Sequence, residues 1–298
     1  MRNLPPVPRV KSTRSRMLVP AMIIFIFLQI FLIQIVVTMK TSIDFYSLAK
    51  QHGKPIAALV PDQKQSSSEN APQDVVPAQG AAPAAFLPPG QDILRCIPNA
   101  GKRVAITFDD GPSLRYTPEY LRVLRENRVP ATFFLTGRNA QQIPNIVGLI
   151  AMEGHEIGNH TYDHRNLATL NETAVEHQIS STSEILTKAI QQEIKYFRPP
   201  GGNNSQTVKK VTSKMNMQIV MWNVDPWDWE KNKTANQIVA SIKQQLEPGS
   251  IILLHEGKPQ TLTALPILIN ELQQDGWKFV TISGLLNYSQ GAAGTGKA

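Results

Sequence analysis

From about residue 93 onward the chain alternates short apolar runs with longer amphipathic ones. The runs at 104–108, 132–135, 156–159, 195–198, 218–224, 250–255 and 278–282 are strand-like, and those at 104–108, 132–135 and 250–255 are mainly apolar, the pattern of strands covered on both faces. Between them, helical spacing of apolar residues covers 117–127, 144–153, 172–190, 206–214, 235–246 and 262–274. Boundary signals accompany several of these, such as Thr117 before Pro118 and Gly276 after the run at 262–274. This alternation predicts a parallel α/β sheet with crossover helices. Seven strands over this length fit a closed barrel better than a long open sheet, although periodicity leaves closure open. In either form, polar residues at the C-terminal ends of strands are the candidates for chemistry.

Upstream, the pattern is of another kind. Residues 17–39 carry no ionisable side chain, enough to cross a hydrocarbon core of about 30 Å as a helix. A cleaved signal peptide would have a shorter apolar stretch followed by small residues. Here Thr38-Met39-Lys40-Thr41 follows, so an uncleaved anchor is expected. Arg2, Arg9, Lys11, Arg14 and Arg16 precede the span, with only Lys40 just after it. That asymmetry puts the N-terminus in the cytoplasm and the remainder outside. Residues 51–92 are rich in Pro, Ala, Gly, Ser and Gln without apolar periodicity, the composition of a tether. The expected organisation is a basic tail at 1–16, a transmembrane anchor at 17–39, a linker at 40–95, a globular domain at 96–290 and a flexible tail at 291–298.

Charge and cysteine content narrow the function classes. The five basic residues before the span account for most of the net charge of +7, leaving +2 for the rest. No basic stripe remains for a nucleic acid. A single cysteine, Cys96, excludes an internal disulfide framework and a cysteine-based zinc site.

The candidate chemistry gathers at strand ends. Asp109 and Asp110 close the first long apolar run before Gly111-Pro112. Side chains alternate along a strand, so one carboxylate could bind a cation while the other stays free as a base. His160 and His164 follow the run at 156–159; on a helical turn, such a pair faces one way and can grip one cation. With Asp110 they make three ligands and leave a position open for water. Arg198-Pro199-Pro200-Gly201-Gly202 ends the next run. Beside Asp109, Arg198 would be a fixed cation that lowers and orients the carboxylate, and the glycines would let backbone N–H groups approach a ligand. Trp222, Trp227 and Trp229 interleave with Asp225 and Asp228, suggesting an aromatic wall for sugar rings. His255 ends the run at 250–255, suited to general acid work. His155 reads as structural, His177 as solvated and His52 as part of the tether.

Five ordered motifs carry a family resemblance. Thr107-Phe108-Asp109-Asp110-Gly111-Pro112, His160-Thr161-Tyr162-Asp163-His164, Arg198-Pro199-Pro200, Asp225-Pro226-Trp227-Asp228-Trp229 and Leu253-Leu254-His255 resemble those of the polysaccharide deacetylase family (NodB homology domain, carbohydrate esterase family 4). The resemblance spans roughly residues 102–288. It implies a distorted (β/α)7 barrel that removes acetyl groups from N-acetylated sugars, and a divalent metal, usually zinc or cobalt, on Asp110, His160 and His164. It also implies Asp109 as base, Arg198 as its positioner and His255 as acid tuned by Asp228. Pro200, Gly201, Trp229 and Leu253 would line the substrate site. One departure is Gly201, where many members carry tyrosine; the backbone donor for an oxyanion survives, the side-chain wall does not. The expectation is a membrane-anchored peptidoglycan deacetylase. Chitooligosaccharide deacetylation, acetyl-xylan esterase activity and a catalytically inactive wall-binding scaffold are the alternatives.

Overall fold

The computed structural model describes residues 93–294, with side chains described up to Tyr288. The anchor at 17–39, the basic tail and nearly all of the linker lie outside the described residues. Among the described residues, no helix is long and apolar enough to cross a membrane.

Among the described residues, eight parallel strands form one sheet. They are β1 (Ile93–Leu94), β2 (Arg103–Gly111), β3 (Thr132–Leu135), β4 (Glu156–Asn159), β5 (Tyr196–Phe197), β6 (Gln218–Val220), β7 (Ser250–His255) and β8 (Lys278–Phe279). Their order is β1-β6-β5-β4-β3-β2-β7, with β8 pairing on β2. The sheet curls until its ends meet. Ile97 N–H donates to Gly249 O and Leu253 N–H to Val224 O, and isolated bridges join Cys96 to Ser250 and Val224 to Ile252. Closure rests on these short bridges rather than a full ladder, so the barrel is distorted. The predicted strand at 218–224 is correspondingly interrupted: its last part is the Val224 bridge.

The crossover helices are α1 (Thr117–Glu126), α2 (Gly137–Gln142), α3 (Pro144–Met152), α4 (Glu172–Ile190), α5 (Gln206–Lys214), α6 (Ala235–Gln245) and α7 (Pro259–Gln274), followed by α8 (Ile282–Gly294). Local chemistry sets their ends. Thr234 and Gln237 form a reciprocal capping box on α6, and the Asn171 side chain accepts from Ala174 N–H to start α4.

Period-two alternation along β2 assigns its side chains. Phe108 faces outward, 4.9 Å from Tyr120 and 5.1 Å from Phe133 between ring centroids. Ala105 lies in the barrel's apolar interior with Phe134, Tyr196, Val220 and Ile251. Ile282, Leu285 and Leu286 of α8 complete that cluster. Glu156 accepts from Ser283 N–H, Ser283 Oγ and Thr132 Oγ1, and so secures the start of α8. The inner face therefore runs from an apolar cluster up to Thr107 and Asp109 at the rim.

Several boundaries differ from the sequence reading: β2 runs on to Gly111 instead of ending at 108, α7 begins at Pro259 instead of 262, and α2 is not among the expected helices. Ile93 and Leu94, assigned to the linker, pair with Ile219 and Val220. The strand at 278–282 stops at Phe279, and Ile282 begins α8 instead. That helix runs into residues read as a flexible tail. Its apolar side chains are buried by tertiary packing, which outweighs a weak local helix signal.

Candidate active site

The residues read from the sequence converge on one rim. Asp109 of β2 is the register partner of His255 at the end of β7, so both side chains rise from adjacent positions. His160 directly follows β4 and Arg198 directly follows β5. β7, β2, β4 and β5, which lie within one run of neighbouring strands, thus deliver these groups to one end of the barrel.

The two aspartates do not diverge as neighbours on a regular strand would. Pairing of β2 with β3 shifts register between Asp109 and Gly111, and Asp110 has φ 75°, a left-handed conformation. This irregularity brings both carboxylates to one imidazole. His160 Nε2 lies 3.6 Å from Asp109 Oδ2 and 3.6 Å from Asp110 Oδ1. The histidine pair is likewise not on a helical turn. Residues 160–166 form an irregular loop, with Thr161 at φ 66° and His164 at φ 59°. The left-handed turns still bring the rings together, 5.0 Å between centroids.

Asp110, His160 and His164 offer three ligand atoms within 4.8 Å of one another. Asp110 Oδ1 is buried and accepts no hydrogen bond, while His164 Nε2 stands 3.2 Å away. His160 Nδ1 is 2.8 Å from Arg198 O. A carbonyl only accepts, so Nδ1 carries the proton and Nε2 keeps its lone pair. Burial lowers the His160 pKa despite the nearby carboxylates, favouring the neutral ligand form. An orphaned anionic oxygen facing two imidazoles fits a divalent cation.

Asp109 is held separately. Burial would raise its pKa, but the Arg198 guanidinium, with His160 and His255 nearby, holds it below the usual carboxylate value. Arg198 is fully buried. Its Nη1 donates to Asp109 Oδ1 at 2.7 Å and to Thr107 Oγ1 at 2.7 Å, and its Nε and Nη2 donate to Val220 O and Met221 O. Phe134 stacks beneath it at 4.0 Å. One oxygen of Asp109 is thereby committed to Arg198, and Oδ2 faces His160.

His255 has its own partner. Nδ1–H donates to Asp228 Oδ1 at 2.7 Å, and its backbone N–H donates to Asp228 Oδ2 at 2.8 Å. Burial disfavours the imidazolium, but the hydrogen bond and charge of Asp228, with Asp109 and Asp110 beyond, raise the pKa overall. Thr261 Oγ1 and Gln260 Nε2 donate to Asp228 in turn, at 2.6 and 2.7 Å. These two residues escaped the sequence reading, because nothing at the start of α7 marks them as polar supports. Leu253 is buried in register with Thr107 on the inner face. Pro200 is buried, and Gly201 sits at φ 60° with open space where a Cβ would stand. Trp227 and Trp229 are about half exposed, whereas Trp222 is partly buried against the interior cluster. His155 is structural as read: its Nδ1 accepts from Ala131 N–H, and burial takes its pKa down to about 4.

Residues 97–220 match the family model described as polysaccharide deacetylase. A peptidoglycan-N-acetylglucosamine deacetylase of Bacillus cereus is 44% identical over 191 residues, covering 63% of this chain and 69% of that protein. A chitooligosaccharide deacetylase of Azorhizobium caulinodans is 39% identical over 189 residues, covering 58% and 90%. The crystal structure of the Bc1960 peptidoglycan N-acetylglucosamine deacetylase aligns with TM-score 0.63 and 39% identity, covering 67% of this chain and 97% of that one. The chain belongs to the polysaccharide deacetylase family.

Proposed function

We propose that this chain hydrolyses N-acetyl groups on cell-wall amino sugars, releasing acetate, with peptidoglycan glycan strands as substrate. The observation that carries the reading is the pairing of two separate units on one rim: the Asp110–His160–His164 ligand set, and an Asp109–His255 register pair whose members each have their own buried partner. A catalytically inactive scaffold would have no need of both. The chitooligosaccharide deacetylase relative favours neutral chitin oligomers as the second reading.

A divalent cation bound by Asp110, His160 and His164, zinc first and cobalt second, supplies Lewis acidity toward water and the acetamide carbonyl. Asp109 Oδ2 takes the proton of the attacking water, while Arg198 holds Oδ1 and keeps the carboxylate ionised. The Gly201 N–H serves the developing oxyanion, with Pro200, Trp229 and Leu253 forming the wall for sugar and acetyl methyl. His255 Nε2 then donates its proton to the leaving amine, because Asp228 retains the proton on Nδ1. The domain, which begins with β1 at Ile93, works outside the cell, tethered by the residues before it to an anchor at 17–39. The charge asymmetry around that span supports this placement.

The test is acetate release from peptidoglycan strands, chitin oligomers and acetyl-xylan, with and without chelator. Chelator-sensitive release, fastest on peptidoglycan, is expected. Release only from acetyl-xylan, or none from any polymer, refutes the reading.

A further inference from the structure

A cavity of about 250 Å³ adjoins the ligand set, with Asp110 and His164 on one side and Arg138, Asn139 and Tyr162 on the other. It is smaller than the roughly 300 Å³ at which whole-ligand sites begin, a size for one substituent of a glycan rather than a strand. The backbone carrying Arg138 is tied to the ligand loop. Arg138 N–H donates to Tyr162 O at 2.8 Å, Gly137 N–H to Thr161 O at 2.9 Å, and Asn139 Nδ2 to Asp110 O at 3.1 Å. The backbone from which the Arg138 side chain springs is therefore fixed beside the ligand loop.

Its charge is only loosely spent. Among the described residues Asp163 is the one carboxylate paired with it, and Asp163 Oδ2 lies 2.8 Å from Arg165 Nε but 3.5 Å from Arg138 Nη2. Two guanidiniums share one carboxylate, and the Arg138 side chain is 58% exposed. A positive fork beside an amide-hydrolysing centre has an obvious complement in a planar anion.

We infer that Arg138 is a specificity-determining residue that takes a carboxylate on the substituent of a sugar neighbouring the one deacetylated. The inference rests on the proposed function and deepens it, by making the preferred substrate an acidic wall glycan rather than neutral chitin. The carboxylate has two sources in such a polymer, the lactyl ether of peptide-free muramic acid or the stem peptide attached to it.

The experiment compares wild type with Arg138→Gln, which keeps polarity and removes the charge. Acetate release is measured on neutral N-acetylglucosamine oligomers, peptide-free strands with free lactyl carboxylates, the same strands with that carboxyl amidated, and peptide-bearing strands. The readout is the ratio of kcat/KM on each acidic substrate to that on the neutral one. An exposed ion pair predicts a fall of about fivefold in that ratio, carried by KM. Amidation should cost wild type the same factor and Arg138→Gln nothing further if the lactyl group is read. A fall confined to peptide-bearing strands assigns the carboxylate to the stem peptide and equally supports the inference. An unchanged ratio, or equal losses on every substrate, overturns it. Equilibrium binding of the same strands reports on Arg138 even if no acetate is released, so failure of the deacetylase reading is distinguishable.

Discussion

Replacing Asp228 by Asn changes one charge with little change of volume, and its effect can be worked from the contacts. Asp228 is fully buried. Oδ1 accepts from His255 Nδ1–H, while Oδ2 accepts from His255 N–H and from Thr261 Oγ1. An asparagine has one acceptor oxygen and one donor nitrogen there, so its NH2 either opposes the donors His255 N–H and Thr261 Oγ1, or faces Nδ1 and is satisfied only by a neutral imidazole protonated on Nε2. What is lost is a charge-assisted hydrogen bond, worth about 1.5–3 kcal/mol. Losing it removes the main support of the imidazolium and lowers the His255 pKa. The acid must be protonated to act, so the alkaline limb of kcat/KM moves to lower pH. Stability gives an independent check of sign. A histidine whose folded pKa is raised contributes stability that is fully present below its unfolded pKa of about 6.5 and lost as pH rises through the folded value. The stability gap between wild type and Asp228→Asn should be widest in that acidic range and narrow at alkaline pH. The assays are a pH–rate profile for acetate release and urea unfolding at several pH values. An alkaline limb that stays in place, or moves upward, refutes the reasoning.

Two further outcomes follow from buried contacts. Arg198→Ala leaves the Asp109 carboxylate buried without its guanidinium and should cost about 3–5 kcal/mol of unfolding free energy, read by urea denaturation. Gly249→Ala puts a Cβ 1.8 Å from Ile97 O at a residue with φ 82°, where barrel ends meet. It should destabilise by more than about 1 kcal/mol and lower the melting temperature.

Much of the fold was legible where local pattern and tertiary environment agree. The strands at 132–135, 156–159 and 250–255 and the helices at 172–190 and 206–214 have the bounds expected from their periodicity. The parts that escaped have weak local signals. β1 is two residues, too short to alternate, and α2 is six residues, under two turns; the strand expected at 278–282 is present but cut to Lys278–Phe279. α8 contains Gly284, Gly291 and Gly294 and is secured by packing of Ile282, Leu285 and Leu286. At the site, residue types were readable but not conformation. Asp110, Thr161 and His164 owe their convergence to left-handed backbone that no propensity for Asp, Thr or His announces. Barrel closure through Val224 and Gly249 is a long-range event that periodicity does not encode.

The central claim is that two adjacent aspartates divide the work, Asp110 holding the cation and Asp109 moving the proton. Zinc titration of wild type, Asp109→Asn and Asp110→Asn, with acetate release measured on the same samples, tests it most directly. Asp109→Asn should keep zinc affinity within about tenfold of wild type and lose activity, because the free base is not a ligand. Asp110→Asn should lose both together, since removing one of three ligands opens the set. Loss of zinc in Asp109→Asn with retention in Asp110→Asn would contradict the account.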